Sequence, residues 1–331
     1  MHCTSRRREA ARALASAALI AAAACGSEPH GPVVRVVIPP GSSFRAAADS
    51  LRHAGFVSSP RLFRLYAQLT GRDRDIKAGT YALQHGMGWS ALVQALDEGQ
   101  GLERRLTVPE GWSLREIVPA LARAIGAPED SVEAAVRDTA LLRELDVPTP
   151  TLEGYLFPDT YLFSYGTSPR EAVREMVHRF QEMWAPRWDE RLQQLAMSRH
   201  DVVTLASIIE KEARLREERP VISAVYHNRL EAQMPLQADP TVQYALGAHH
   251  ERVTYRDLEV DSPYNTYRHP GLPPGPIASP GRASLEAALY PAAVPYLYFV
   301  ADTDGHHEFR TTFKEHREAK SEIRRMRRPT R

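Results

Sequence analysis

Tyr296-Leu297-Tyr298-Phe299-Val300-Ala301, then Asp304-Gly305, then His307-Glu308-Phe309-Arg310-Thr311, is the stretch that decides the fold class. The first run follows Pro295 and is aromatic, aliphatic and β-branched, so it is predicted to be a buried strand. Asp-Gly supplies the positive φ that a tight hairpin turn requires, so the second run is predicted to return antiparallel to the first. Elsewhere apolar residues recur at helical spacing. After Ser168-Pro169, a helix start, come Val173, Met176, Val177, Phe180 and Trp184, read as core residues. Hairpins mixed with separate helices, rather than a regular strand–helix alternation, predict an α+β fold.

Towards the N-terminus a weak repeat stands out. Val37-Ile38-Pro39-Pro40-Gly41-Ser42-Ser43 returns as Thr107-Val108-Pro109-Glu110-Gly111-Trp112-Ser113, 70 residues later. In each copy a short β-run ends at Pro-x-Gly and a serine caps a helix carrying Arg45 or Arg115 and Leu51 or Leu121. Between the copies, residues 60–69 read as a helix, residues 77–83 as a strand after a glycine turn, and residues 89–96 as a helix closed by Gly99. Strand, turn and helix of this size resemble a LysM-type glycan-binding module. Residues 33–105 are accordingly predicted to be a small LysM-like lobe, and residues 106–318 a larger α+β catalytic domain.

The composition is that of a folded protein. The chain has 331 residues, 43% hydrophobic and 25% charged, enough for a core and two lobes, and its net charge of +1 offers no global field for nucleic acid. The basic tail, residues 319–331, holds Arg324, Arg325, Arg327, Arg328 and Arg331 and reads as a solvated end. Cys3 and Cys25 are the only cysteines, so the body has no thiol nucleophile, cysteine-bound zinc or iron–sulfur cluster. Residues 1–25 read as a targeting segment: Arg6, Arg7, Arg8 and Arg12 precede a largely apolar stretch at 13–24. That run is short against the ~20 residues of a membrane span. Ala23-Ala24-Cys25-Gly26 looks like a lipoprotein cleavage site, with Cys25 the lipidation candidate, although Ala22 stands where a larger aliphatic residue is usual. An uncleaved anchor and ordinary secretion are the other readings, and all three export the body. Residues 26–32 read as a polar linker.

The chemistry centres on Leu205-Ala206-Ser207-Ile208-Ile209-Glu210-Lys211-Glu212-Ala213. On a helix, Glu210 has Ala206, Ser207, Ala213 and Arg214 as neighbours. Glu212 lies about 200° away around the axis, so the two carboxylates cannot face one cleft. The bland reading of Glu210 is a surface pair with Arg214. A second segment is Asn228-Arg229-Leu230 followed by Met234-Pro235-Leu236-Gln237-Ala238-Asp239-Pro240-Thr241-Val242. A third is Ser262-Pro263-Tyr264-Asn265-Thr266-Tyr267 followed by Gly271-Leu272-Pro273-Pro274-Gly275-Pro276-Ile277. Aromatic and amide side chains in a proline-stiffened loop suit a sugar, whose apolar face stacks on rings and whose hydroxyls bond amides.

These segments, with Glu153-Gly154-Tyr155-Leu156-Phe157-Pro158-Asp159-Thr160-Tyr161 and the strand at 296–301, resemble the endolytic murein transglycosylase, or YceG-like, family. The resemblance runs from about Val36 to Lys314. It implies a lyase that cuts the bond between N-acetylmuramic acid (MurNAc) and N-acetylglucosamine (GlcNAc) without water, leaving 1,6-anhydro ends. It places the acid/base on Glu210 and implies substrate contacts from Gln237, Asp239, Tyr264, Asn265, Tyr267 and Glu153. A single carboxylate suffices where the substrate's own C6 hydroxyl is the nucleophile, whereas a hydrolase needs two. The acid must hold its proton near neutral pH, with Ile208, Ile209, Tyr264 and Tyr267 the expected apolar walls. The resemblance further implies an N-terminal inner-membrane anchor, a catalytic domain in the periplasm or otherwise outside that membrane, and work beside the peptidoglycan-synthesis machinery, terminating or releasing nascent strands.

No cofactor and no metal is expected. His249-His250 and His306-His307 are adjacent pairs beside turns, and no His-Glu-x-x-His or Gly-x-Ser-x-Gly pattern occurs. The main competing reading is a non-catalytic peptidoglycan-binding or scaffold protein. The anchor is open to direct measurement. Mass spectrometry of the N-terminal peptide from membranes should find diacylated Cys25; an intact N-terminus would exclude lipidation and leave export standing.

Overall fold

The computed structural model describes residues 30–73, 76–99, 101–247, 253–302 and 304–326. Cys25, the targeting segment and His249-His250 lie outside them. Among the described residues no helix is long and apolar enough to cross a membrane. The architecture is mixed helix and sheet, as the α+β reading expects, with three two-stranded sheets. The chain divides into two compact units.

The first unit comprises residues up to 106 together with 122–127 and 161–168. Strand β1 (His30–Ile38) pairs antiparallel with β2 (Gly79–His85), with Val36 opposite Tyr81. The strand begins inside the segment read as a linker, because residues 30–32 already run beside β2. Period-two burial follows the pleat: Val36 and Ile38 are buried, while Val33 and Val37 are exposed. Helices α1 (Phe44–His53) and α2 (Pro60–Leu69) lie between the two strands in the chain, and α3 (Trp89–Glu98) follows them. Ser43 caps α1 by accepting from the Ala46 N–H, and Gly99 closes α3 in the left-handed region at φ 77°. Leu51, Phe63, Tyr81, Leu92 and Leu96 form the centre of the core.

Strand β3 (Glu103–Thr107) pairs with β4 (Thr160–Ser164), a partner that its own sequence neighbourhood does not announce. Just beyond β4, the Tyr165 N–H donates to the Leu102 carbonyl and the Tyr165 carbonyl accepts from Gly101.

The second unit holds the remainder. Its helices are α4 (Leu114–Ile125, as far as Leu121), α5 (Glu129–Val136), α6 (Thr139–Glu144), α7 (Pro169–Met183), α8 (Arg187–Leu195), α9 (Arg199–Glu212), α10 (Arg219–Glu231), α11 (Asp239–Leu246), α12 (Arg282–Leu289) and α13 (Phe313–Met326). Helix α9 is the axis of this unit. It packs against α8, α10, α11 and α12, and every residue from 202 to 209 is buried. It starts with a capping box, in which Ser198 Oγ accepts from the Asp201 N–H and Asp201 Oδ2 accepts from the Ser198 N–H. Ser207, in mid-helix, accepts from the Ile277 N–H at 3.0 Å and so fixes the Pro/Gly-rich loop against α9.

The predicted hairpin is present as β5 (Tyr298–Ala301) and β6 (His307–Arg310), with Phe299 opposite Phe309. The first strand begins at Tyr298 rather than Pro295 and is only partly buried, because no second layer covers both of its faces. The basic tail is also more ordered than a solvated end. Residues 319–326 complete α13, and Ala319 and Ile323 are buried because they fall on its inner face.

One glycine of the first unit is a sharp test of its packing. Gly126 has φ 72°, and a Cβ there would stand 1.9 Å from the Tyr165 ring. Gly126→Ala is expected to cost about 2 kcal/mol or more through the left-handed backbone plus the clash. Thermal melts should show Tyr165→Ala in the same chain recovering the steric part but not the backbone part. An unperturbed melting temperature in Gly126→Ala would contradict the geometry.

Candidate active site

The last turn of α9 carries Glu210, Lys211 and Glu212. Their surroundings then differ. The Glu210 side chain is 6% exposed; Oε1 accepts from Arg219 Nη2 at 2.9 Å and Oε2 accepts from the Gly281 N–H at 2.9 Å. Glu210 therefore pairs with Arg219 of α10 and not with Arg214. The expected walls stand elsewhere: Ile208 and Ile209 are in the helix's buried core, Tyr267 donates to Asp239, and the Tyr264 ring packs against Tyr244.

Glu212 faces the other way, as its 200° offset requires. Its Oε1 accepts from the Tyr226 hydroxyl at 3.1 Å. Burial, reinforced by the negative charge of Asp239, pushes its carboxyl up to about 7, against the opposing pull of the Tyr226 hydrogen bond and the Arg229 charge. Taken as whole residues, Glu210 and Glu212 are both half-buried. Asp239, the first residue of α11, accepts from the Tyr267 hydroxyl. Burial and that carboxylate hold the Tyr267 phenol well above its usual range.

The three sequence segments are stitched together by backbone contacts. The Gln237 N–H donates to the Thr266 carbonyl at 3.1 Å, and the Ala238 N–H donates to Thr266 Oγ1 at 3.0 Å. Gln237 itself is exposed and in the left-handed region at φ 50°. Arg229 is buried and ties α10 to two loops, donating to the carbonyls of Leu297 (2.7 Å), Pro235 (3.2 Å) and Leu236 (2.7 Å).

Two expected sugar contacts are turned inward. Asn265 is fully buried; its Nδ2 donates to the carbonyls of Leu258 and Val260, and its Oδ1 accepts from the Tyr267 N–H. Its amide is consumed in shaping the loop that presents Tyr264 and Tyr267. Glu153 is 5% exposed, and its carboxyl accepts from the Leu114 N–H and the Tyr244 hydroxyl. Burial pushes that carboxyl up to about 7, with Leu114 and Tyr244 pulling the other way. Tyr264 lies beside this group, its ring 4.9 Å from that of Tyr244. Glu210 and Glu212 thus join different neighbourhoods, and Tyr226, Arg219 and Arg229, none of them a predicted site residue, complete those neighbourhoods. Their signal in sequence is slight, since each partner lies nine or more positions away on another element.

His306 and His307 both reach Glu218, at 3.7 and 2.7 Å. No group of three or more potential metal ligands occurs among the described residues.

The model of the YceG-like family matches residues 36–322. The chain is 38% identical over 302 residues to the endolytic murein transglycosylase of Bacillus subtilis, covering 87% of this chain and 84% of that protein. It is 31% identical over 304 residues to the protein of the same name in Streptococcus pneumoniae, covering 82% of this chain and 55% of the relative. The crystal structure of a yceG-like protein from Listeria monocytogenes superposes with a TM-score of 0.62 at 35% identity, covering 86% of this chain and 98% of that one.

The buried Glu153 carboxyl generates a pH prediction. Its proton is held more tightly in the folded than in the unfolded chain, so its contribution to stability is full below the ordinary carboxylate pKa and is lost as pH rises through about 7. The shift corresponds to something on the order of 3 kcal/mol. Glu153→Gln removes that dependence, so its melting temperature should gain on wild type by several degrees between about pH 5 and pH 8. A difference that does not change with pH would show that Glu153 is not the buried acid described here.

Proposed function

The chain belongs to the YceG-like family, and on that footing we propose that it is a lytic transglycosylase of peptidoglycan: an enzyme that cuts glycan strands internally between MurNAc and GlcNAc, without water, with Glu212 as the proton donor and acceptor. The names carried by its relatives support the substrate and the lyase class. The observation that carries the residue assignment is the contrast at the end of α9. Both oxygens of Glu210 are occupied, by Arg219 and the Gly281 N–H, whereas Glu212 accepts from Tyr226 alone among the described residues, its carboxyl is pushed up to about 7 by burial, and Asp239 and Arg229 of the second motif segment lie near it. The family resemblance puts the acid on Glu210; the site chemistry favours its neighbour two positions on.

In this mechanism the protonated Glu212 gives its proton to the glycosidic oxygen as the bond to C1 of MurNAc breaks. The carboxylate left behind takes the proton of the C6 hydroxyl, whose oxygen closes on C1. The product ends in a 1,6-anhydro ring, and Glu212 is protonated again. Asp239 serves as the neighbouring charge that keeps the Glu212 proton on at neutral pH, and Tyr267 holds Asp239 in place. The exported, membrane-tethered location, the glycan-holding role of the N-terminal lobe, and the termination or release of nascent strands beside the synthesis machinery form the rest of the proposal. Substrate on the outer face of the membrane is what motivates them.

Matched variants test the assignment. Glu212→Gln keeps shape but cannot transfer a proton, and cleavage should fall about 10²–10⁴-fold with the melting temperature retained. Glu210→Gln should lower the melting temperature, because it leaves Arg219 buried against a neutral partner, while the folded fraction keeps cutting. The reverse pattern, an inactive but normally stable Glu210→Gln beside an active Glu212→Gln, would return the proton to Glu210. Wild-type products should be about 18 Da lighter than hydrolysed strands, since no water is added. Binding without any cleavage by wild type would leave the scaffold reading.

A further inference from the structure

An open cleft of about 230 Å3 is lined by Arg115, Lys211, Pro240, Tyr244 and Ile277. It adjoins the site just described: Lys211 stands between Glu210 and Glu212 in the chain, and Pro240 follows Asp239. The Arg115 guanidinium lies over the Tyr244 ring, 5.6 Å from its centroid, and Nη2 donates to the Tyr244 carbonyl at 3.3 Å. Gly247 makes room for it, since a Cβ there would come within 3.0 Å of Arg115 Nη1. Lys211 Nζ donates to the Gly111 carbonyl at 3.2 Å.

Among the described residues neither cation has a carboxylate ion-pair partner. The acidic side chain in the lining, Glu116, is already engaged: its Oε2 accepts from the Ser113 N–H and hydroxyl at the start of α4. Two uncompensated cations and an aromatic face therefore meet in one cleft. A planar guanidinium steadied on a ring offers a two-pronged donor matched to a carboxylate. On a peptidoglycan strand the sugars are neutral, and carboxylates occur only on the muramyl side chain.

We propose that this cleft is a carboxylate subsite for the muramyl substituent, with Arg115 as its anchor and Lys211 as the second cation, and that it determines which strands are cut. The inference rests on the reading of the protein as a peptidoglycan-cutting enzyme. The carboxylate has two possible sources: the lactyl group of a strand stripped of peptide, or the peptide stem of an intact one.

The experiment is a cycle between Arg115 and the charge on the substrate. Wild type, Arg115→Gln and Arg115→Lys are assayed on intact uncross-linked strands, on peptide-stripped strands, and on each after conversion of carboxyls to amides. Arg115→Gln should raise KM roughly tenfold to a hundredfold on the strand type that supplies the carboxylate, with kcat little altered. Amidation should cost wild type a similar factor, and the two losses should not add. Arg115→Lys should recover part of the loss. The strand type showing the coupling identifies the source. Additive losses on both strand types would overturn the subsite. Should Arg115→Gln melt abnormally, Lys211→Gln is read in the same cycle. Failure of wild type to cut any strand would count against the enzymatic reading instead. Calorimetric binding of a soluble disaccharide-peptide then decides the subsite alone: weaker binding by Arg115→Gln supports it, and equal binding overturns it.

Discussion

The buried ion pair between Glu210 and Arg219 is the interaction around which the site is arranged. Arg219 and the Gly281 N–H occupy both oxygens of Glu210. In doing so they fix the beginning of α10 and the 279–281 segment relative to α9. The Pro-Glu-Gly turn is drawn in as well. Gly111 donates to the Ser279 carbonyl, Ser279 donates to the Trp112 carbonyl, and Glu110 lies so close to Gly281 that no Cβ would fit there. Such a pair contributes little net stability once desolvation is counted. Its consequence is positional: with Glu210 committed, the chain turns Glu212 towards the opposite side with no cation hydrogen-bonded to it.

What surrounds Glu212 is held in place by buried polar groups whose partners lie within the protein. Arg229 spends three hydrogen bonds on carbonyls of two loops, Asn265 spends its amide inside its own loop, and Thr241 and Thr266 join hydroxyls at 2.9 Å. Each of these groups is buried, and each would be costly if left unpaired. Together they set Asp239 and Tyr267 beside the carboxyl. A proton donor needs its neighbours fixed to within a fraction of an ångström, and loops gain that precision only from such a supporting layer.

Local features were legible in the sequence and distant pairings were not. Helix α2 spans the predicted 60–69, Ser198 and Asp201 form the start signal of α9, and Asp304-Gly305 marks the hairpin. Helical periodicity also predicted that Glu210 and Glu212 diverge. Periodicity carries no information about what meets a helix from elsewhere. Arg219 lies past a break in the helix, so Arg214, at the proper helical offset, looked like the partner. Strand β4 gains its meaning only from β3, some 50 residues away. Asn265 illustrates a further ambiguity: an amide between two tyrosines is what a sugar site would use, and equally what a tight loop uses to satisfy its own carbonyls.

Desolvation alone does not select a catalytic acid, as Glu153 and Glu212 make plain. Burial pushes both carboxyls up to about 7. Glu153 achieves this while 5% exposed, with the Leu114 N–H and the Tyr244 hydroxyl occupying its oxygens. A proton held there sits at the join between the start of α4 and α11. Glu212 has one hydrogen-bond donor among the described residues, Tyr226. The same physical cause thus raises both carboxyls, and what separates them is how much of each the protein itself engages: Glu153 accepts from Leu114 and Tyr244, Glu212 from Tyr226 alone among the described residues.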